Sequence, residues 1–294
     1  MTKSIDDFGE ILQRDESLAP YTWLRLGGRA EYLLTPETED QLLQVARCCL
    51  ENEIPVRILG GGSNVLVSDD GVRGAVIRIA EPLLSDVSVT GESVTAGGGA
   101  LLSNAVSEAV RAQLTGLETL VGIPGTIGGA LLGNSGSRHG DIGKLIRSVS
   151  VLNRQGDVVE RTGDELVFSY RQCSLDDVLV LSATLQLKSD PSDDLTLRMR
   201  KNWIMKRATQ PLADQSAGCI FRNPRGLSAG ALIEQCGLKG MTSGQARISD
   251  RHANFIVTEK GATCHDVDQL ISRIRSAVSE KFGVELELEI CRWS

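Results

Sequence analysis

Apolar side chains recur at helical spacing in several parts of the chain, which predicts helices there. The longest pattern covers about residues 266–282, and Thr263 and Asp266 open it at the spacing of a capping box. Another predicted helix starts within 35–39, and three more cover about 101–114, 195–207 and 231–236. The apolar residues of the longest helix share one face: Val267, Leu270, Ile271, Ile274 and Val278.

Short β-prone runs lie between these helices and predict strands. Residues 87–89 and 94–96 flank Thr90-Gly91-Glu92, and 149–153 and 158–161 flank Gln155-Gly156, so we expect two hairpins. Further strands are predicted at 56–59, 75–79, 178–187 and 254–257.

The segment 284–290 alternates strictly between apolar residues and glutamates. This pattern predicts a strand with one buried face and one face that carries all three glutamates. Alternation alone favours a solvated acidic face and does not single out any one glutamate.

Mixed helices and strands without regular alternation predict an α+β fold rather than a doubly wound sheet. The polar, proline-containing stretch 189–194 marks a domain boundary. We expect a larger domain over 1–190, with lobes at about 1–83 and 84–190, followed by a smaller α+β domain over 191–294.

Composition and charge narrow the function classes. A net charge of -7 argues against nucleic acid as a partner. No apolar run approaches the length of a membrane span, so we expect a cytoplasmic protein without a membrane partner. The seven cysteines lack C-x-x-C spacing and the chain has three histidines, so we expect reduced thiols and no metal site.

Two glycine-rich runs are the first candidates for ligand binding. Gly60-Gly-Gly-Ser-Asn64 follows the predicted strand at 56–59, and Gly122-Ile-Pro-Gly-Thr-Ile-Gly-Gly129 lies further along, before Asn134. Glycines let backbone N–H groups approach a phosphate closely, because no Cβ intervenes. Neither run fits the dinucleotide fingerprint or a P-loop. Two such loops favour one large ligand that is held at more than one place.

These two runs resemble the FAD-contacting loops of the UDP-N-acetylenolpyruvoylglucosamine reductases (MurB), in the vanillyl-alcohol-oxidase-like superfamily. The similarity extends from Tyr21 to the end of the chain and includes 228–240 and 249–256; the chain resembles the shorter, second type. It implies a two-lobed FAD-binding domain of the PCMH type and noncovalent FAD. The residues implied to bind FAD are Gly60, Gly61, Gly62, Ser63, Asn64, Gly122, Gly125, Thr126, Gly129 and Asn134.

The same resemblance implies three catalytic residues. Tyr170 and Arg171 match the pair that reaches over the flavin, and Arg171 is suited to bind a carboxylate. Cys219 stands where the family's commonest pattern has a proton-donating serine, and a thiol is the better acid. Glu289 matches the catalytic carboxyl group of the family's terminal motif.

Substrate-binding residues follow from the same motifs. Arg222 and Asn223 are implied to face the substrate, with Lys206, Arg207 and Lys239 as further candidates for its diphosphate. This chain has Cys291 at the position of the family's last arginine. This departure leaves open which residue matches that substrate-binding arginine. His252 is expected to be a structural histidine rather than a base.

The implied reaction belongs to peptidoglycan precursor synthesis, and so to cell wall biogenesis, cell shape and cell division. NADPH reduces the flavin and leaves, and UDP-N-acetylglucosamine enolpyruvate then enters the same cleft and receives hydride from flavin N5. Arg171 and Glu289 stabilise the resulting charge, and Cys219 protonates the adjacent carbon to give UDP-N-acetylmuramate. We expect a monomer.

Two other functions remain open at this point. A related FAD-dependent oxidase would share the FAD loops but lack the Cys219 to Asn223 and Glu289 motifs. A non-catalytic protein that binds a UDP-sugar or nucleotide would keep the glycine loops without needing an acid at position 219.

Overall fold

The computed structural model describes residues 3–192 and 194–294. Its helices are α1 (Glu39–Glu51), α2 (Leu102–Arg111), α3 (Ile127–Leu132), α4 (Asp194–Thr209), α5 (Ala229–Gln235) and α6 (Cys264–Phe282). Its first ten strands are β1 (Leu12–Ser17), β2 (Arg29–Leu34), β3 (Val56–Leu59), β4 (Val65–Val67), β5 (Val72–Arg78), β6 (Val87–Thr90), β7 (Ser93–Gly97), β8 (Leu114–Thr115), β9 (Gly136–Ser137) and β10 (Gly140–Asp141).

The remaining strands are β11 (Ile146–Leu152), β12 (Val158–Thr162), β13 (Phe168–Ser169), β14 (Gln172–Cys173), β15 (Leu179–Gln186), β16 (Lys188–Ser189), β17 (Thr242–Ser243), β18 (Ala246–Ile248), β19 (Ile256–Thr258) and β20 (Cys291–Trp293). They form a four-stranded sheet of order β1-β2-β5-β3, a five-stranded sheet of order β12-β11-β15-β7-β6 and a three-stranded sheet of order β17-β18-β19. The other strands pair as β10-β9, β13-β14, β16-β8 and β20-β4. This mixture of helices and largely antiparallel strands confirms the predicted α+β class.

The chain forms two compact units that are discontinuous in sequence. The first comprises Met1–Arg14, Tyr32–Gly61 and Gly74–Ile204, and the second comprises Asp15–Glu31, Gly62–Arg73 and Met205–Ser294. The second unit therefore includes two N-terminal segments that the predicted boundary after residue 190 placed in the larger domain. The prediction of an FAD-binding domain over 1–190 and a substrate-binding domain over 191–294 stays a prediction, because compactness does not tell which ligand a segment binds.

The core of the first unit has two clusters of buried apolar side chains. One joins α2 to the five-stranded sheet, where Val94 of β7, Val149 of β11 and Ala183 of β15 are fully or almost fully buried. Both predicted hairpins are present in this sheet, with Val89 opposite Val94 and Val151 opposite Val159. The second cluster joins α1 to β5.

The core of the second unit is built around α6. The apolar face predicted from the sequence, from Val267 to Val278, is buried within it. The predicted capping box is present: Thr263 Oγ1 accepts from the Asp266 N–H at 3.1 Å, and the Thr263 N–H donates to Asp266 Oδ2 at 3.0 Å. Gly283 ends the helix with a φ of 65°, a left-handed conformation that glycine adopts readily.

The prediction of a strand over 284–290 was wrong. Within it, Leu288 forms one isolated bridge, with Phe221, and the ladder begins only at β20, which runs parallel to β4. The alternation had a different cause: Leu286 and Ile290 are buried against α6 and its neighbours, while Glu285 and Glu287 are exposed. An alternating burial pattern thus needs only an apolar surface on one side of the segment, and a strand partner is not required. Among the described residues, no helix has the length and apolar character needed to cross a membrane.

Candidate active site

The two glycine-rich runs meet in the first unit. A Cβ added to Gly60 would lie 2.7 Å from Thr126 Oγ1, and one added to Gly61 would lie 3.3 Å from the Cα of Gly125. Glycine at these two positions therefore lets the two runs pack closely, and larger residues would separate them. The structure thus brings together the first part of Gly60–Asn64 and the middle of Gly122–Gly129, which the sequence had placed in separate loops.

Thr126 also starts α3, a short helix that the sequence analysis missed. Its hydroxyl caps the helix by accepting from the Gly129 N–H at 3.4 Å, and the Gly125 carbonyl accepts from the Leu102 N–H at 3.0 Å. Gly122 and Gly125 have φ values of 75° and 107°, conformations that favour glycine. The Thr-x-x-Gly spacing within the run was the available sign of a helix start.

Asn134 connects the second glycine run to the hairpin that carries Arg171. Its side chain is 3% exposed, and its amide donates to the Ser169 carbonyl at 2.7 Å while its Oδ1 accepts from the Gly143 N–H at 3.0 Å. The bond to Ser169 joins parts of the first unit that are 35 residues apart in sequence, and the bond to Gly143 spans nine residues. Asn134 was predicted as a flavin contact, and its side chain here makes hydrogen bonds to the protein backbone.

Arg171 occupies the turn between β13 and β14. It has a φ of 58°, and its guanidinium donates to the carbonyls of Gly136 at 3.0 Å and Asn134 at 3.4 Å. The guanidinium carbon lies 5.5 Å from the centre of the Tyr170 ring, which is 53% exposed. The pair therefore presents a cation and an amphipathic ring at the end of a short hairpin.

Gly62, Ser63 and Asn64 belong to the second unit and lead into β4. The Gly62 carbonyl accepts from the Trp23 N–H at 3.0 Å, close to Tyr21, where the similarity to the family begins. Asn64 contacts the C-terminal segment, where its side-chain amide donates to the Glu289 carbonyl at 3.3 Å and its own carbonyl accepts from the Cys291 N–H at 3.0 Å. The end of the first glycine run is thus tied to the backbone of a predicted catalytic residue.

Cys219 lies in a segment with backbone partners on both sides. On one side Cys219 forms a bridge with Phe255, and the Ile220 N–H donates to the Asn254 carbonyl at 2.9 Å. On the other side the Ile220 carbonyl accepts from the Glu289 N–H at 2.8 Å. Cys219 and Glu289 are 70 residues apart in sequence, and the structure places their backbones on adjacent segments of one unit.

Arg222 and Asn223 follow directly. The Arg222 N–H donates to the Glu287 carbonyl at 2.9 Å, and its guanidinium lies 3.6 Å from the Glu287 carboxylate, which is largely exposed. Asn223 is exposed, and its Oδ1 accepts from the Ala229 N–H at 2.9 Å at the start of α5. Because the Glu287 carboxylate is exposed to solvent, the pair contributes little stability, and an anionic ligand could replace Glu287 at Arg222.

Glu289 differs from the two glutamates before it. Glu285 and Glu287 are exposed, whereas Glu289 is half-buried. The solvated-face interpretation therefore holds for the first two and not for the third. Cys291 lies two residues on, and burial raises the pKa of its thiol while the charge of Arg222 opposes that rise. Arg292 forms an ion pair of 2.7 Å with Asp268 of α6.

The loop at 249–255 contains His252 and also Asn254, a functional candidate that the sequence analysis did not single out. His252 is held as expected of a structural residue: its Nδ1 accepts from the Asn254 N–H at 3.3 Å and its ring packs edge-on against Phe255 at 4.8 Å. Burial and the nearby Lys239 lower the pKa of His252, so the neutral ring is favoured. Asn254 itself is buried, and its place in the family-like Ser-x-x-His-Ala-Asn-Phe segment was the available sign.

The predicted residues thus group by unit. Gly60, Gly61, Tyr170 and Arg171 lie in the first unit together with 122–134, and Gly62, Ser63 and Asn64 lie in the second with Cys219, Arg222, Asn223 and Glu289. Among residues 3–192 and 194–294 no cluster of three histidine, cysteine or acidic side chains is arranged to hold a metal ion.

The backbone of the first unit is compatible with a bound flavin nucleotide. Gly60 and Gly61 pack closely against Thr126 and Gly125, and Gly61 and Gly129 are exposed glycines whose backbone a ligand can approach. Such Cβ-free backbone suits the phosphates of a dinucleotide.

Comparison with known families assigns the two parts of the chain. The FAD binding domain family matches residues 30–162, and the UDP-N-acetylenolpyruvoylglucosamine reductase C-terminal domain matches residues 210–293. These matches confirm the predicted order of an FAD-binding domain followed by a MurB-type C-terminal domain.

Full-length relatives agree with both matches. The chain is 40% identical over 291 residues to UDP-N-acetylenolpyruvoylglucosamine reductase 2 of Symbiobacterium thermophilum, covering 98% of this chain and 94% of the relative. It is 38% identical over 282 residues to the reductase of Anoxybacillus flavithermus, covering 95% and 93%. The crystal structure of the reductase (MurB) from Thermus caldophilus superimposes with a TM-score of 0.83 at 38% identity, covering 96% of this chain and 99% of that chain. This chain belongs to the UDP-N-acetylenolpyruvoylglucosamine reductase family.

Proposed function

We propose that this protein is an FAD-dependent oxidoreductase that uses NADPH to reduce UDP-N-acetylglucosamine enolpyruvate to UDP-N-acetylmuramate, in peptidoglycan precursor synthesis. The observation that carries the proposal is the near full-length similarity to reductases of this name, from 95% to 98% of the chain. The hydrogen bond from the Glu289 N–H to the carbonyl of Ile220, the residue after Cys219, supports it, because the reaction needs a proton donor and a charge-stabilising group close together.

The residues proposed to hold FAD are those of the two glycine runs. Gly60, Gly61, Gly122, Gly125, Thr126 and Gly129 would surround its phosphates from the first unit, with Gly62, Ser63 and Asn64 continuing the first run. Asn134 would act at the same loop through the backbone that it fixes. When bound, FAD supplies the redox chemistry, since it accepts hydride from NADPH and delivers hydride to the enolpyruvyl double bond.

Cys219 is the proposed proton donor. Hydride addition to the vinyl group leaves negative charge on the carbon next to the carboxylate, and the Sγ proton of Cys219 would be transferred to that carbon. A thiol with an ordinary pKa of about 8.5 donates a proton more readily than a serine hydroxyl. The commonest family pattern has serine at this position, and we propose that cysteine preserves the function.

Arg171 and Glu289 are proposed to stabilise the charge before the proton arrives. The planar guanidinium of Arg171 would bind the enolpyruvyl carboxylate, with Tyr170 beside it. Glu289 would donate a hydrogen bond to the developing enolate, which requires its protonated form. Arg222 and Asn223 would contact the UDP part, and Arg222 already pairs with an exposed carboxylate.

The proposed function also bears on location and assembly. NADPH and a nucleotide-activated sugar are cytoplasmic substrates, so we propose a cytoplasmic enzyme. A monomer as the active species stays a prediction.

An absorbance experiment tests this function. The purified protein is reconstituted with FAD and titrated anaerobically with NADPH, and then with UDP-N-acetylglucosamine enolpyruvate. We expect the flavin bands to bleach with NADPH and to return after the enolpyruvate is added. Reoxidation by oxygen but not by the enolpyruvate would indicate a flavoprotein oxidase instead. A protein that binds no FAD would overturn the proposal.

A further inference from the structure

A buried asparagine outside the predicted site holds the segment that carries Cys219. Asn254 is 2% exposed, and its side-chain amide makes two hydrogen bonds to a single residue. Nδ2 donates to the Phe221 carbonyl at 2.8 Å, and Oδ1 accepts from the Phe221 N–H at 3.0 Å. The amide therefore makes the two hydrogen bonds that a neighbouring strand would otherwise make to Phe221, two residues after Cys219.

The backbone around Phe221 depends strongly on this asparagine. From the Ile220 N–H to the Arg222 N–H, each backbone polar group has a partner within the second unit, as buried groups require. The Ile220 carbonyl accepts from the Glu289 N–H, and the Arg222 N–H donates to the Glu287 carbonyl. Asn254 is the partner of the other three groups. Its backbone carbonyl accepts from the Ile220 N–H, and its side chain bonds to both the N–H and the carbonyl of Phe221.

Asn254 is itself fixed by the loop before it. Its N–H donates to His252 Nδ1 at 3.3 Å. The buried Ser249 hydroxyl accepts from the N–H groups of Arg251 at 3.2 Å and His252 at 3.4 Å, which shapes the turn. The Ser-x-x-His-x-Asn spacing thus has a local explanation: serine and histidine orient the backbone that presents Asn254.

We propose that Asn254 is a positioning residue that keeps Cys219 in register with Glu289 for proton transfer. This proposal rests on the proposed function. Without the amide, the Phe221 peptide would lose both partners at once, and the segment would be free to shift against 287–289. A displacement of about 1 Å at a reacting group costs on the order of 100-fold in rate.

The test substitutes Asn254→Asp, which is similar in size. The acceptor for the Phe221 N–H remains, but the donor is replaced by an oxygen that faces the Phe221 carbonyl. The two half-reactions are followed separately by anaerobic stopped-flow absorbance. We expect reoxidation by the enolpyruvate to slow about 100-fold, while flavin reduction by NADPH stays within about twofold. The solvent deuterium isotope effect on reoxidation should rise, because proton transfer becomes limiting.

A matched control is Asn153→Asp. Asn153 is also buried, at 9% exposed, and its Oδ1 accepts from the N–H groups of Gln155 at 2.9 Å and Asp157 at 2.8 Å in a turn of the first unit. We expect both half-reactions of this variant to keep the wild-type rates within about twofold. An equal slowing of reoxidation in the two variants would contradict a specific role for Asn254.

A double-mutant cycle separates positioning from a general structural role. In a Cys219→Ala background, Asn254→Asp should slow reoxidation by no more than about twofold further, because it acts through Cys219. Full additivity, or equal slowing of both half-reactions, would overturn the proposal. If Asn254→Asp gives no folded flavoprotein, Asn254→Ser is measured by the same criteria. A wild-type protein that the enolpyruvate fails to reoxidise would refute the proposed function itself.

Discussion

The hairpin that carries Arg171 and the segment that carries Cys219 are held by different kinds of contact. The hairpin ladder consists of two residue pairs, Phe168 with Cys173 and Ser169 with Gln172, and its turn exposes Tyr170. Arg171 is anchored by side-chain hydrogen bonds to the carbonyls of Asn134 and Gly136. The Cys219 segment instead lies between backbone partners on both sides, beside the buried Phe221.

This difference fits the proposed chemistry. An arginine that binds an incoming carboxylate can tolerate a short exposed hairpin, because the substrate itself completes the geometry. A proton donor must already be in place when charge develops, because catalysis depends on preorganised groups. The first region therefore relies on side chains that fix a turn, and the second on paired backbone.

The sharpest way to break this comparison is Arg171→Lys. Lysine keeps the charge but lacks the planar fork, so it cannot bind a carboxylate bidentately while also reaching two carbonyls. We expect reoxidation by the enolpyruvate to slow about 100-fold to 1,000-fold, the range for loss of one charge-stabilising donor. The control Arg154→Lys replaces an exposed arginine of the same unit that also contacts a carbonyl, that of Asp176. Equal rates in the two variants would refute the role of Arg171.

A smaller effect is expected from Asn134→Ala. This change removes the side-chain hydrogen bonds to the Ser169 carbonyl and the Gly143 N–H, but keeps the backbone carbonyl that accepts from the Arg171 guanidinium. We expect about 10-fold slower reoxidation, in the lower range for a side chain that acts through another group. Rapid-mixing absorbance measures the rate, with Asn153→Ala as the control. An undiminished rate would show that Arg171 is positioned independently of the Asn134 side chain.

The smallest effect concerns pH and the second region. Burial lowers the pKa of His252 below the value of about 6.5 that it has in the unfolded chain. Neutral His252 therefore contributes stability that is present above about pH 6.5 and is lost as the pH falls through the lower folded pKa. Protonation also removes the acceptor of the Asn254 N–H.

His252→Asn tests this pH dependence, because an amide oxygen can replace Nδ1 and does not titrate. Urea unfolding at a series of pH values below 6.5 should show a shallower loss of unfolding free energy than in the wild type. The difference in slope is at most about 1.4 kcal/mol per pH unit, the limit for one proton. Identical slopes would show that His252 does not titrate with folding.

Much of the fold could be predicted because its causes are local. The capping box and apolar face of α6, the two hairpins of the five-stranded sheet and both glycine runs are each written in a few adjacent residues. The strands β1 and β2 escaped prediction, since sequences such as Leu12–Ser17 carry no apolar alternation. They are strands because partners elsewhere in the chain offer hydrogen bonds.

The candidate site was predictable by residue type and resemblance but not by arrangement. Nothing local shows that Cys291 pairs with Val65, or that Asp15–Glu31 and Gly62–Arg73 join the C-terminal unit. The periodicity of 284–290 even indicated a strand that is absent. Asn254 was overlooked because its importance lies in its bonds to Phe221, 33 residues earlier in the chain.

The most direct test of the central claim is the single-turnover reoxidation of reduced enzyme by UDP-N-acetylglucosamine enolpyruvate in Cys219→Ala and Cys219→Ser. Cys236→Ala, which removes another half-buried thiol of the second unit, is the control. If Cys219 is the proton donor, alanine slows this step by about 100-fold to 10,000-fold, serine restores most of the rate, and NADPH still reduces the flavin in all variants. Reoxidation of Cys219→Ala at the wild-type rate would contradict the assignment.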